Sequence, residues 1–327
     1  MDAATAAGRT WDAVVIGGGA AGVAAGTVLA RARFATLVVD GGAPRNGPAD
    51  HMHGYPTRDG MAPREFVAIG QSEFGRYGGT LLRASVAGAR RAPDGTFGLR
   101  LGDGHAVRTR SVLVATGLTD ELPGIPGLSE RWASQVHHCP HCHGYEVRGR
   151  SLAVLGSPMG AVSIHLAALL RRYSPTVTFC VNGVEVGAAE RQRLTAYGVR
   201  LVDGRVTRVG APAGTGEGDA VAIELESGES LVCEAVFVAP RPAPHDAILV
   251  TLGAARDPVS GLVVVDGQGA TDVPGVWAAG NVVTPRAQVV AAAGAGSTAA
   301  VSMSAWLLER ELSAAVRGEQ SAPGGAL

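Results

Sequence analysis

The sequence predicts an α/β protein built from Rossmann-like, three-layer units of the nucleotide-binding type. Three observations carry this. Residues 12–16 form an apolar, strand-like run. The glycine turn Gly17-Gly18-Gly19-Ala20-Ala21-Gly22 follows it, and an alanine-rich helix pattern then leads to about Arg31, before a second strand over 36–40 that ends on an acid. A comparable apolar strand at 151–155 runs into another glycine-containing turn in mid-chain. Glycine supplies 47 of 327 residues and aromatics only 5%, which suits tight turns and backbone-lined grooves better than a broad aromatic ligand surface.

The N-terminal turn reads Gly17-x-Gly19-x-x-Gly22. Gly17 permits the tight turn, Gly19 lets a phosphate approach the backbone, and Gly22 allows close helix packing. Asp40 ends the next strand, where a ribose hydroxyl is bound in such folds. The turn-rich loop 41–47 follows, with Arg45 as a candidate phosphate or adenine contact, and then His51 and His53 on a further loop. Residues 61–77 read as a helix with Pro63 near its start, where proline is tolerated. Residues 96–101 and 107–114 read as paired strands. The stretch 117–127, with Pro123, Pro126 and several glycines, reads as a linker, and a return crossing falls near 240–245. Near the C-terminus the block Gly275-Val276-Trp277-Ala278-Ala279-Gly280-Asn281 offers small residues that bring backbone close to a ligand. Residues 288–310 then read as a long helix, apolar but rich in small side chains, and so buried within the protein and not a membrane span. The last ten residues, 318–327, read as a loose tail.

Charge and cysteine content narrow the class. Lys plus Arg is 28 against 29 for Asp plus Glu, so no nucleic-acid footprint is expected. The four cysteines are too few for a secreted disulfide framework, and residues 1–11 do not read as a signal peptide. Cys180 and Cys233 lie in apolar strand-like runs and are expected to be buried thiols. The remaining two form the run His138-Cys139-Pro140-His141-Cys142-His143. A pair three positions apart cycles between dithiol and disulfide. With His137, His138, His141 and His143 nearby, a zinc site of two cysteines and two histidines is chemically admissible. No second ligand cluster lies at zinc-finger spacing, and no metal is expected.

The N-terminal fingerprint, Thr116-Gly117 after the strand at 111–115, the Cys-x-x-Cys pair and the Gly-Val-Trp-Ala-Ala-Gly block occur in the order of low-molecular-weight thioredoxin reductases. The chain resembles that family along nearly its whole length. The resemblance implies FAD and two nucleotide-binding-type domains: residues 1–120 and 243–327 make a discontinuous FAD domain with a C-terminal tail, and 121–242 make a central NAD(P)-binding-like domain that carries the cysteine pair. It assigns to FAD the residues Gly17, Gly19, Ala20, Ala21, Gly22, Asp40, Gly41, Arg45, Asn46, His53, Val86, Ala115, Thr116 and Gly117 from the first segment. From the second it assigns Gly280, Asn281, Arg286, Ala287, Gln288 and Val289. Two departures stand out: Asn281 replaces the family's Asp, and Ala287 separates an Arg and a Gln that the family keeps adjacent. The resemblance also implies that Cys142 faces the flavin while Cys139 meets the outside sulfur compound.

Thioredoxin reductases carry Asp directly after the pair, whereas this chain has His143. Histidine accepts a proton near neutral pH, and thiol oxidation needs such a base. The Cys-x-x-Cys-His pattern resembles the FAD-dependent dithiol oxidases of disulfide-containing natural-product pathways. His138 is the weaker candidate for the same task. The mid-chain turn Gly156-Ser157-Pro158-Met159-Gly160-Ala161 has Pro158 where the fingerprint needs its second glycine. The next strand continues Thr178-Phe179-Cys180-Val181-Asn182 without the family's basic cluster for a 2′-phosphate. The expectation is therefore a small-molecule or peptide dithiol oxidised through Cys139 and Cys142, with electrons passing to FAD and then O2 to give H2O2, in a cytoplasmic homodimer with no membrane or nucleic-acid partner. A thioredoxin or small-disulfide reductase using NAD(P)H is the alternative, and a non-enzymatic flavin-binding regulator is a third class.

Overall fold

A computed structural model describes residues 2–212 and 220–318; of the tail expected at 318–327, residues 319–327 lie outside the described residues. The chain divides into two compact units, one of residues 1–119 and 244–327, the other of 120–243.

The first unit is built on a seven-stranded sheet. Its parallel part runs Thr80–Arg83, Thr36–Asp40, Thr10–Ile16 and Ala106–Val114, and Val276–Ala278 also pairs with Ala106–Val114. Antiparallel strands Phe97–Leu101 and Val86–Arg91 extend the other edge. Alternation along Thr10–Ile16 explains the layering. Ala13 and Val15 join Leu29, Val38, Met303 and Leu307 on the helical face, whereas Val14 and Ile16 join Phe97, Leu99, Leu101 and Leu249 on the other. Each such fully buried Val or Leu contributes about 1.5–3 kcal/mol by leaving water.

Helix Ala20–Arg31 and the long helix Val289–Val316 cover that face. Their contact is set by small residues: a Cβ on Gly296 would sit 2.0 Å from the Ala21 carbonyl oxygen. Val289–Val316 is long and apolar enough to cross a membrane by length and composition. Here it buries Ala292, Ala293, Gly296, Ala299, Ala300, Met303 and Leu307. The helix expected over 61–77 spans Pro63–Arg76, with its proline in the first turn.

The second unit has a five-stranded parallel sheet in the order Val199–Val202, Val177–Cys180, Leu152–Leu155, Ala235–Val238 and Val136–His137. A three-stranded antiparallel sheet, Val206–Gly210, Val221–Leu225 and Ser230–Cys233, belongs to the same unit. Cys180 and Cys233 are free and buried, and burial pushes both thiols up to about 12, which keeps them inert.

Candidate active site

The N-terminal turn has the geometry its glycines imply. Gly17 adopts φ +101°, and a Cβ there would lie 2.4 Å from the Ala115 carbonyl oxygen. A Cβ on Gly22 would lie 1.8 Å from the Gly17 carbonyl oxygen. Only glycine fits either position. Gly19, at the head of helix Ala20–Arg31, faces open space: a Cβ there would meet nothing within 4 Å. A tight turn, an open second glycine and a helix N-terminus make a cradle for a pyrophosphate, so these residues fit FAD. Asp40 is buried, and its carboxylate accepts from the Gly18 N–H (3.1 Å), from Gln71 Nε2 (3.0 Å) and from Arg83. The acid thus braces the turn directly at Gly18, and Gln71 and Arg83, which the sequence reading did not single out, hold the acid.

The second segment meets the first in this unit. Arg45 Nη1 donates to the Pro285 carbonyl at 2.7 Å. The Asn281 side-chain amide donates to the carbonyls of Thr284, Pro285 and Ala287 at 3.1, 3.3 and 2.9 Å. An aspartate has no such donor, so Asn281 ties down the loop that the extra Ala287 lengthens. Arg286 and Gln288 are exposed, and Gln288 precedes the helix that starts at Val289. A Cβ on Gly54 would lie 3.6 Å from Gln288 Oε1, which places the His53-Gly54 turn against it, and His53 Nδ1 lies 3.3 Å from Asp59. Asn46 is half-buried in the loop after Gly41. Val86 stands on the antiparallel edge, paired with Leu101. Thr116 Oγ1 donates to the His245 carbonyl at 2.7 Å, and the His245 N–H donates to the Gly117 carbonyl at 3.0 Å.

In the other unit, Cys139 and Cys142 form a disulfide with a Cα–Cα distance of 5.3 Å. Cys139 caps the short helix Pro140–His143, whose first position is Pro140. The Cys142 and His143 N–H groups donate to the Cys139 carbonyl, both at 3.1 Å. His143 stacks on His137, with ring centroids 4.5 Å apart and planes 19° from parallel. His138 stacks instead on Trp132 at 5.5 Å. Burial, reinforced by His143 and His138, pushes His137 down to about 3. No group of three or more metal-ligating side chains is present among the described residues.

The mid-chain turn contrasts with the N-terminal one. The Gly156 N–H donates to the Cys180 carbonyl (2.8 Å), and Asn182 Nδ2 donates to the Gly156 carbonyl (2.8 Å). Ser157 Oγ accepts from the Met159 N–H (3.1 Å) and lies 3.2 Å from Ser163 Oγ. Pro158 has no N–H and puts an exposed ring where the first turn has an open glycine. A cation lies near the end of the following strand. A Cβ on Gly183 would lie 3.4 Å from Arg205 Nη1. A reading along residues 176–183 misses it because it comes from beyond the next strand.

Residues 11–296 match the family described as pyridine nucleotide-disulphide oxidoreductase. The chain is 32% identical over 279 residues to "Thioredoxin reductase tcpT" of Claviceps purpurea (strain 20.1), covering 83% of this chain and 86% of that protein. It is 29% identical over 301 residues to "Thioredoxin reductase sirT" of Leptosphaeria maculans, covering 88% and 92%. Among solved structures, that of HlmI superposes with a TM-score of 0.89 at 43% identity, covering 94% of this chain and 96% of that one. A putative thioredoxin reductase from Bacillus anthracis gives 0.85 at 26% identity, covering 92% and 99%.

Proposed function

Because this chain belongs to the pyridine nucleotide-disulphide oxidoreductase family and is a thioredoxin-reductase-like, FAD-binding thiol-disulfide oxidoreductase, we propose that it runs in the oxidative direction, as a dithiol oxidase. The observation that carries the proposal is the mid-chain turn. Pro158 fills the place of phosphate approach, and Ser157 takes up the Met159 N–H at the head of helix Gly160–Leu170. Nicotinamide nucleotides need those donors. The N-terminal turn, by contrast, keeps its open Gly19.

In this reading a substrate thiolate attacks Cys139 Sγ, breaking the Cys139–Cys142 bond and releasing Cys142 as thiolate. The second substrate thiol, deprotonated, attacks the mixed disulfide, which closes the substrate disulfide and releases Cys139. His143 accepts a proton in this exchange, and His138 is the lesser candidate. When bound, FAD would supply the two-electron acceptor for reoxidation of the pair to the disulfide, with O2 as the final acceptor and H2O2 as the product. FAD would be held by Gly17, Gly19 to Gly22, Asp40, Gly41, Arg45, Asn46, His53, Val86, Ala115 to Gly117, Gly280, Asn281 and Arg286 to Val289. The substrate is a small-molecule or peptide dithiol, and the enzyme works as a cytoplasmic homodimer.

A reductase drawing on NAD(P)H is the second reading, favoured by Arg205 beside Gly183. Anaerobic stopped-flow spectroscopy of the oxidised holoprotein separates the two. We expect dithiothreitol to bleach the flavin, oxygen to restore it, and Cys142→Ser to abolish the bleaching. Rapid bleaching by NADPH would sink the oxidase reading.

A further inference from the structure

The exchange chemistry above employs Cys139, Cys142 and His143 and gives His137 no task. His137 is nonetheless 6% exposed and lies under His143 ring on ring, 4.5 Å apart at 19°. Its other aromatic neighbour is Phe237, at 5.4 Å and 47°. The two histidines are carried by different elements. His137 is in register with Phe237 in the parallel sheet of the second unit. His143 ends a four-residue helix, which has little cooperative stability of its own. The His143 ring thus lies against a ring carried by the sheet.

We propose that His137 is a positioning residue: its flat ring, anchored by the sheet and by Phe237, sets the plane in which the His143 imidazole meets the thiol chemistry next to it in the chain. The proposal rests on the dithiol-oxidase reading for the role of His143 and adds what orients that base. A proton relay through His137 does not compete. Its ring stays neutral at about 3, so roughly one molecule in 10⁴ carries the proton at pH 7, and its Nδ1 has no hydrogen-bond partner among the described residues. His138 does not share the task, because its ring stacks on Trp132.

Two variants separate a flat face from mere volume. His137→Phe keeps an aromatic face and removes both nitrogens; His137→Leu keeps bulk and removes the face. With dithiothreitol as probe, the limiting rate of flavin reduction should stay within about twofold of wild type for Phe. It should fall about tenfold to a hundredfold for Leu, as misoriented groups do, with the half-saturating dithiothreitol concentration unchanged. A Leu variant as fast as wild type, or a Phe variant as slow as Leu, would overturn the proposal. If the wild-type flavin is not bleached at all, the oxidase reading fails on its own. The proposal is then decided by the ring-proton NMR shifts of His143, which should keep their stacking displacement in His137→Phe and lose it in His137→Leu. An unchanged displacement in the Leu variant would refute it.

Discussion

At the scale of single residues, His137 shows how burial and chemistry pull against each other. Its ring is neutral in the folded protein because burial pushes it down to about 3, whereas an unfolded chain titrates near the ordinary 6.5. Below about pH 6.5 the unfolded state therefore binds a proton that the native state refuses. Stability that is full above that value is lost progressively as the pH falls toward about 3. His137→Phe removes this linkage. Urea denaturation at pH 7 and at pH 5 should show wild type losing more stability between the two than the variant does. Equal losses would show that His137 does not titrate across that window. The same residue marks a limit of sequence reading. Cys139, Cys142 and His143 are legible because the chemistry lies within a few consecutive positions. The His137–His143 stack depends on a strand register and a helix turn that no spacing rule specifies.

At the scale of elements, two glycine turns with similar sequences end differently. The first was legible almost residue by residue, because tight turn, open approach and helix contact are each local demands on one glycine. What surrounds it was not. Gln71 and Arg83 reach Asp40 from a later helix and strand, and Arg205 reaches Gly183 from past another strand. Asn281 looked like a simple replacement for Asp, yet its amide holds three carbonyls of the neighbouring loop. The long C-terminal helix was legible as buried from its small residues, but not its partner or where a glycine lets the two helices approach. Gly296 meets Ala21 there, in the first turn of the helix that follows the N-terminal glycine turn. Gly296→Ala should force helix Val289–Val316 away from helix Ala20–Arg31, at a cost of about 1–3 kcal/mol for overpacking, and loosen FAD. Melting followed by circular dichroism, with bound flavin measured by absorbance, checks this. A variant as stable and as flavin-loaded as wild type would show that the helices part without cost.

At the scale of the whole molecule, the fold alone does not decide the direction of electron flow. Both units have the parallel sheets of nucleotide-binding folds, and the comparisons show a thiol-disulfide oxidoreductase. The direction depends on which outside reagent can be engaged at the other end. A reductase consumes a nicotinamide nucleotide and makes dithiol. An oxidase consumes dithiol and O2 and makes one disulfide and one H2O2, with two electrons and two protons moving from the dithiol to oxygen. The difference shows as a balance of matter. With dithiothreitol in air, the holoprotein should consume one O2 per dithiol, and adding catalase should return half of that oxygen, because each pair of peroxide molecules yields one O2. NADPH should change neither figure. An oxygen electrode with a thiol titration reads both quantities in one vessel. Oxygen uptake without matching loss of thiol would point to idle flavin oxidation, and thiol gained at the expense of NADPH would establish the reductive direction.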